Sequence, residues 1–169
     1  MSSLKNPAIP VDIALTNEEA TSIKRIVNAV NLLREANFVE ESSEGSVTEM
    51  GLSAELAVMK YLNAVTSLEI VVGGGKLPDE FIHNGKSIKI QCRSAVGLAF
   101  LAPYSSQSWF NVDYGILVYR INDNKYTIHG VISGSMFRKE HIVKEHAGIK
   151  LEVCGPESFS DIALIRKVI

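Results

Sequence analysis

At 169 residues the chain is long enough to bury a sizeable core and is expected to form one domain spanning 1–169. Its composition, 46% hydrophobic and 21% charged, is that of a globular protein and excludes a disordered or fibrous chain. A net charge of −2 and a pI near 6.1 exclude a general basic field, so any contact with nucleic acid must use a local patch.

The N-terminal residues 1–15, with Pro7 and Pro10, are read as an extended arm. Thr16-Asn17-Glu18-Glu19 forms a capping box, in which the Thr hydroxyl takes a free amide and Glu19 reaches back. Ala20, Ile23, Val27, Val30 and Leu33 then recur at helical spacing and predict a helix over 16–37. Residues 38–48 are polar, contain Gly45 and are read as a loop. A second helix is expected over 49–63, with Leu52, Leu56, Met59 and Leu62 as its apolar stripe. Glu55 falls among them and is expected on the face that packs against the sheet. A carboxylate there is costly unless compensated; the plainer alternative is a side chain at the stripe's edge reaching solvent.

Beyond residue 63 the period changes. An apolar run at 68–72 ends in Gly73-Gly74-Gly75, and Asp79 follows Pro78. Segments 80–83 and 87–93 flank Asn84-Gly85, and 114–121 and 125–133 flank Asn122-Asp123-Asn124; both pairs read as hairpins. In 87–93, alternation puts Ile88, Ile90 and Cys92 on one face and Lys89, Gln91 and Arg93 on the other. Residues 102–111 carry Tyr104, Trp109 and Phe110, either base-stacking groups or, the reading preferred here, aromatics of a loop packed on the core. A helix is predicted over 136–146, a strand over 150–153 and a closing segment over 159–168. The order implies an α/β (α+β) fold, with helices flanking a mixed sheet and the core within 49–146.

Some signals point nowhere. Gly73-Gly74-Gly75-Lys76 lacks phosphate-loop spacing, and His83, His129, His141 and His146 lack metal-ligand spacing. The apolar runs are too short for a membrane span, residues 1–12 lack signal-peptide character, and Cys92 and Cys154 are isolated, so a cytoplasmic location is expected.

The informative set is Glu55, Asp79 and the stripe Lys89-x-Gln91-x-Arg93. A helical acid, an acid opening a hairpin and polar groups on its second strand can meet at one point. Phosphodiester hydrolysis needs such a meeting, because carboxylates hold a hard cation while a neighbouring Lys or Arg shares the phosphate charge.

Three stretches, Gly51-Leu52-Ser53-Ala54-Glu55 through Tyr61-Leu62, Pro78-Asp79, and Ile88-Lys89-Ile90-Gln91-Cys92-Arg93-Ser94, resemble the helix, PD and strand motifs of the PD-(D/E)xK nuclease superfamily. Downstream, Val112-Asp113-Tyr114-Gly115-Ile116-Leu117 and Ile128-His129-Gly130-Val131-Ile132 before Met136-Phe137 are similar to later core elements of its resolvase-like members. The resemblance implies a restriction-endonuclease-like fold and a Mg²⁺-dependent (or Mn²⁺-dependent) DNA endonuclease, with a possible homodimer. Glu55, Asp79 and Gln91 would be the metal ligands, with Arg93 stabilising the phosphate. Glu80 or Glu69 are substitutes for a carboxylate.

Gln91-Cys92-Arg93 replaces the expected acid-x-lysine, however. A neutral amide binds Mg²⁺ less strongly than a carboxylate, and Arg93 cannot deprotonate to serve as a base. The alternative is therefore a nuclease-fold module without catalysis that binds nucleic acid or a protein partner. Lys86, Arg93, Arg120, Arg138, Lys139 and Lys144 are the cations expected to form any local DNA-facing patch.

Overall fold

The computed structural model describes residues 6–36, 49–63, 80–103 and 112–168. The expected strand at 68–72, Asp79, the loop at 38–48 and the aromatics Tyr104, Trp109 and Phe110 lie outside the described residues.

The fold is α+β, with two sheets. The arm is not merely extended: its residues Val11–Ala14 form strand β1. Helix α1 (Asn17–Ala36) starts with the predicted capping box, Thr16 N donating to Glu19 Oε2 at 2.8 Å and Glu19 N to Thr16 Oγ1 at 3.1 Å. Helix α2 covers Glu49–Leu62. Strands β2 (Glu80–His83) and β3 (Lys86–Arg93) make the first hairpin, with Asn84 (φ 48°) and Gly85 (φ 76°) both left-handed, as that turn requires. Strand β4 (Phe100–Pro103) follows, then the second hairpin, β5 (Tyr114–Asn122) with β6 (Lys125–Ser133). Helix α3 (Gly134–Glu140), strands β7 (Ile142–His146) and β8 (Ile149–Cys154), two 3-10 turns (Pro156–Ser158 and Ile162–Leu164) and α4 (Ile165–Val168) complete it.

The larger sheet has the order β1-β6-β5-β3-β2; β3 and β5 are parallel and every other pair is antiparallel. The smaller sheet has the order β4-β8-β7. One face of the larger sheet carries Ile88, Ile90, Ile116, Val118 and Ile128 and packs against α1 and α2. The other carries Leu117, Tyr119 and Ile132, which pack against Phe100 and Cys154 of the smaller sheet and Phe137 of α3. A second sheet therefore covers the face that the sequence would give to helices.

Two expectations need correction. The helix predicted over 136–146 ends at Glu140. His141 turns extended (φ −62°, ψ 150°), and the β-branched Ile142 and Val143 enter β7, which turns back at left-handed Ala147 and Gly148 to pair with β8. Helix α2 also sits in a different phase from the one expected. Its buried residues are Ser53, Ala54, Ala57, Val58 and Met59, while Leu52, Leu56 and Leu62 are only partly buried. Small side chains let the helix backbone approach the sheet closely, and the leucines pack around the contact.

Candidate functional site

Glu55 lies on the flank of α2, half-buried, beside rather than within the closest helix-sheet contact. That helix packs against the face of β3 bearing Ile88 and Ile90. Strand alternation sends Lys89, Gln91 and Arg93 to the opposite face. The larger sheet therefore stands between the glutamate's helix and the polar stripe, and the structure brings together Gln91 and Arg93 but not Glu55 with them. Asp79 lies outside the described residues, immediately before β2.

Gln91 is fully engaged. Its Nε2 donates to the Leu101 carbonyl at 2.9 Å, and its Oε1 accepts from the Leu101 amide at 2.7 Å. A primary amide offers a donor and an acceptor side by side, as an opposing strand residue does. Gln91 uses both to tie β3 to β4, joining the two sheets where their backbones do not pair.

Arg93, at the end of β3, is half-buried, and its Nε is buried without a hydrogen-bond partner. Its charge lies close enough to favour ionisation of the Tyr119 phenol, although burial of the ring outweighs this and pushes that phenol up. Tyr119 donates its hydroxyl to the Leu98 carbonyl at 2.9 Å and packs against His129, ring centroids 5.6 Å apart. His129 Nε2 lies 2.9 Å from the Pro156 carbonyl; because a carbonyl only accepts, that nitrogen carries the proton. On the helix side of the sheet, burial pushes the Cys92 thiol up to about 12, the opposite of what a reactive thiol needs.

Arg120 is paired with Asp123, whereas Arg138 and Lys139 are exposed on α3 and Lys144 on β7. Among the described residues no group of three or more His, Cys, Asp or Glu side chains converges.

The sequence reading overlooked a buried acid on the face of the smaller sheet that meets the larger one. Glu152, in the middle strand, is 2% exposed, and His141 Nε2 is 3.8 Å from its Oε1. Alternation in Ile149-Lys150-Leu151-Glu152-Val153-Cys154 was the available signal, because it sets Glu152 on the face of the buried Cys154.

No protein-family model matches the chain, and no match is found among curated proteins or solved structures.

Mg²⁺ demands oxygen ligands in near-octahedral array, with one or two carboxylates. The Gln91 oxygen is already accepting a short hydrogen bond and its partner nitrogen is held in register, so Gln91 as placed does not fit that role. What the stripe can do is present the Arg93 guanidinium beside a rigid inter-sheet tether.

Proposed function

We propose that this chain is a nuclease-like module that binds DNA without hydrolysing it. One observation carries this reading: at the strand position where a metal ligand is expected, the Gln91 side chain is spent on the Leu101 backbone. Arg93, half-buried on the same face of β3, is a permanently charged donor of the kind that suits a phosphate. The test is binding and cleavage in parallel, using labelled duplex, single-stranded and branched DNA with Mg²⁺ or Mn²⁺. The reading expects salt-sensitive binding that Arg93→Ala weakens several-fold, with no cut product. Cleavage abolished by Asp79→Ala would reverse it.

The second reading is a metal-dependent DNA endonuclease in which Glu55 and Asp79 supply the carboxylates. It is favoured by the half-buried position of Glu55 on the flank of α2. In this reading Glu55→Gln and Asp79→Asn each remove cleavage while leaving DNA binding intact, and Gln91→Leu affects folding more than chemistry.

A further inference from the structure

We propose that Glu152 and His141 form a pH-sensitive latch that holds the corner between α3 and β7 against the middle strand of the smaller sheet. Glu152 points into the space between the two sheets, the side chain only 3% exposed. Its Oε2 is buried without a hydrogen-bond partner, and its Oε1 faces His141 Nε2 at 3.8 Å. His141 occupies the C-cap of α3, where its backbone amide donates to the Phe137 carbonyl at 2.9 Å. Its Nδ1 lies 3.1 Å from the same carbonyl, and its ring stacks on Phe137 with centroids 5.7 Å apart and planes 14° from parallel. With Nδ1 directed at a carbonyl, Nε2 is the nitrogen that faces Glu152.

Opposite Glu152 in the sheet stand Ala102 of β4 and Val143 of β7, neither of them charged. Farther along the same face come Glu145 and Lys150, a cross-strand pair, both exposed. Helix α3 carries Arg138, Lys139 and Glu140, the outer face of β7 carries Lys144 and His146, and Lys89 of β3 lies on the sheet surface that faces β4. Among the described residues, His141 is the charge that eases ionisation of Glu152, and burial works against it more strongly.

The proton count sets the direction. While Glu152 keeps its proton as a neutral carboxyl, no charge is buried with it and the latch is closed. Loss of that proton as pH rises leaves a lone carboxylate in an apolar space, which a folded protein relieves by admitting water. The place for water to enter is β7, an edge strand with all five residues exposed. The latch therefore loosens β7 and the end of α3 as pH rises through the raised Glu152 value and leaves the larger sheet intact.

Two measurements on the full chain test this. Carbon-13 NMR of the Glu152 carboxyl should show it titrating above the usual glutamate range, and a titration within that range overturns the latch. Amide hydrogen exchange, corrected for intrinsic pH dependence, should show β7 opening at least about tenfold more readily above the midpoint that the Glu152 carboxyl shows than below it, with β5 and β6 unchanged. Glu152→Gln, which keeps shape and loses the charge, should abolish that difference; an equal difference in the variant overturns the proposal.

Discussion

Gln91 and Leu101 exchange two hydrogen bonds, side chain to backbone, and so bridge the two sheets as a strand residue would. Replacing Gln91 with Leu strands a backbone donor and acceptor in a half-buried place. The expected cost is roughly 2–6 kcal/mol, since each of the two orphaned groups costs about 1–3 kcal/mol. Gln91→Glu keeps the acceptor for the Leu101 amide but turns a carboxylate against the Leu101 carbonyl, and should also destabilise. Urea unfolding checks both, and a Gln91→Leu midpoint equal to the parent's would remove the tether's structural importance.

The interface of α1 with α2 predicts an acid sensitivity. Glu19 receives Lys60 Nζ at 2.8 Å and also closes the Thr16 capping box, and the Lys60 hydrogen bond holds its carboxyl below the usual range. A lowered acid stabilises the fold above its unfolded-state pKa and loses that contribution as pH falls through the folded value. Stability should therefore decline below about pH 4.5, and less steeply in Glu19→Gln. Because the pair is partly exposed, the effect is on the order of 1 kcal/mol or less, read from urea midpoints between pH 6 and pH 3.

Gly130 sits where the chain's closing segment crosses the larger sheet. A Cβ there would lie 2.5 Å from the Ser160 carbonyl oxygen and 3.1 Å from both Ala8 Cβ and Phe159 Cβ. Ser160 is fixed by reciprocal backbone hydrogen bonds with Val131 at 2.9 and 2.8 Å, so the obstructing atom cannot simply swing away. Gly130→Ala should cost about 2 kcal/mol or more through overpacking. Thermal unfolding reads this directly, and an unchanged midpoint would contradict the tight crossing.

Neither cysteine should behave as a reactive thiol. Burial pushes Cys92 up to about 12, and Cys154 is 1% exposed in the second core. Alkylation by iodoacetamide at pH 8 should be at least tenfold slower in the folded protein than in urea for both residues. Mass spectrometry of timed samples checks this, and rapid native labelling of Cys92 would mean that β3 opens readily.

The elements most legible in the sequence were those whose signals are local. Thr16 and Glu19 announce a helix start because the capping box involves residues three apart. Asn84-Gly85 announces a hairpin because few residue pairs accept two left-handed conformations in succession. The helix predicted over 136–146 overran His141 because the partner that β8 supplies to Ile142–His146 leaves no local signal, and that partner prevails. The phase of α2 was missed for a related reason: hydrophobicity favours its leucines, whereas close approach to a flat sheet favours Ser53, Ala54 and Ala57.

The sequence by itself determined the α+β class, the two hairpins and the alternation that separates Ile88 and Ile90 from Gln91 and Arg93, because each follows from periodicity or turn chemistry within a few residues. The tertiary structure alone decided that α2 packs on the isoleucine face, that Gln91 meets Leu101, and that Glu152 is buried beside His141. Those are contacts between segments whose spacing carries no signal. They arise only when a second sheet closes over the first, and burial then decides which polar groups must find one another.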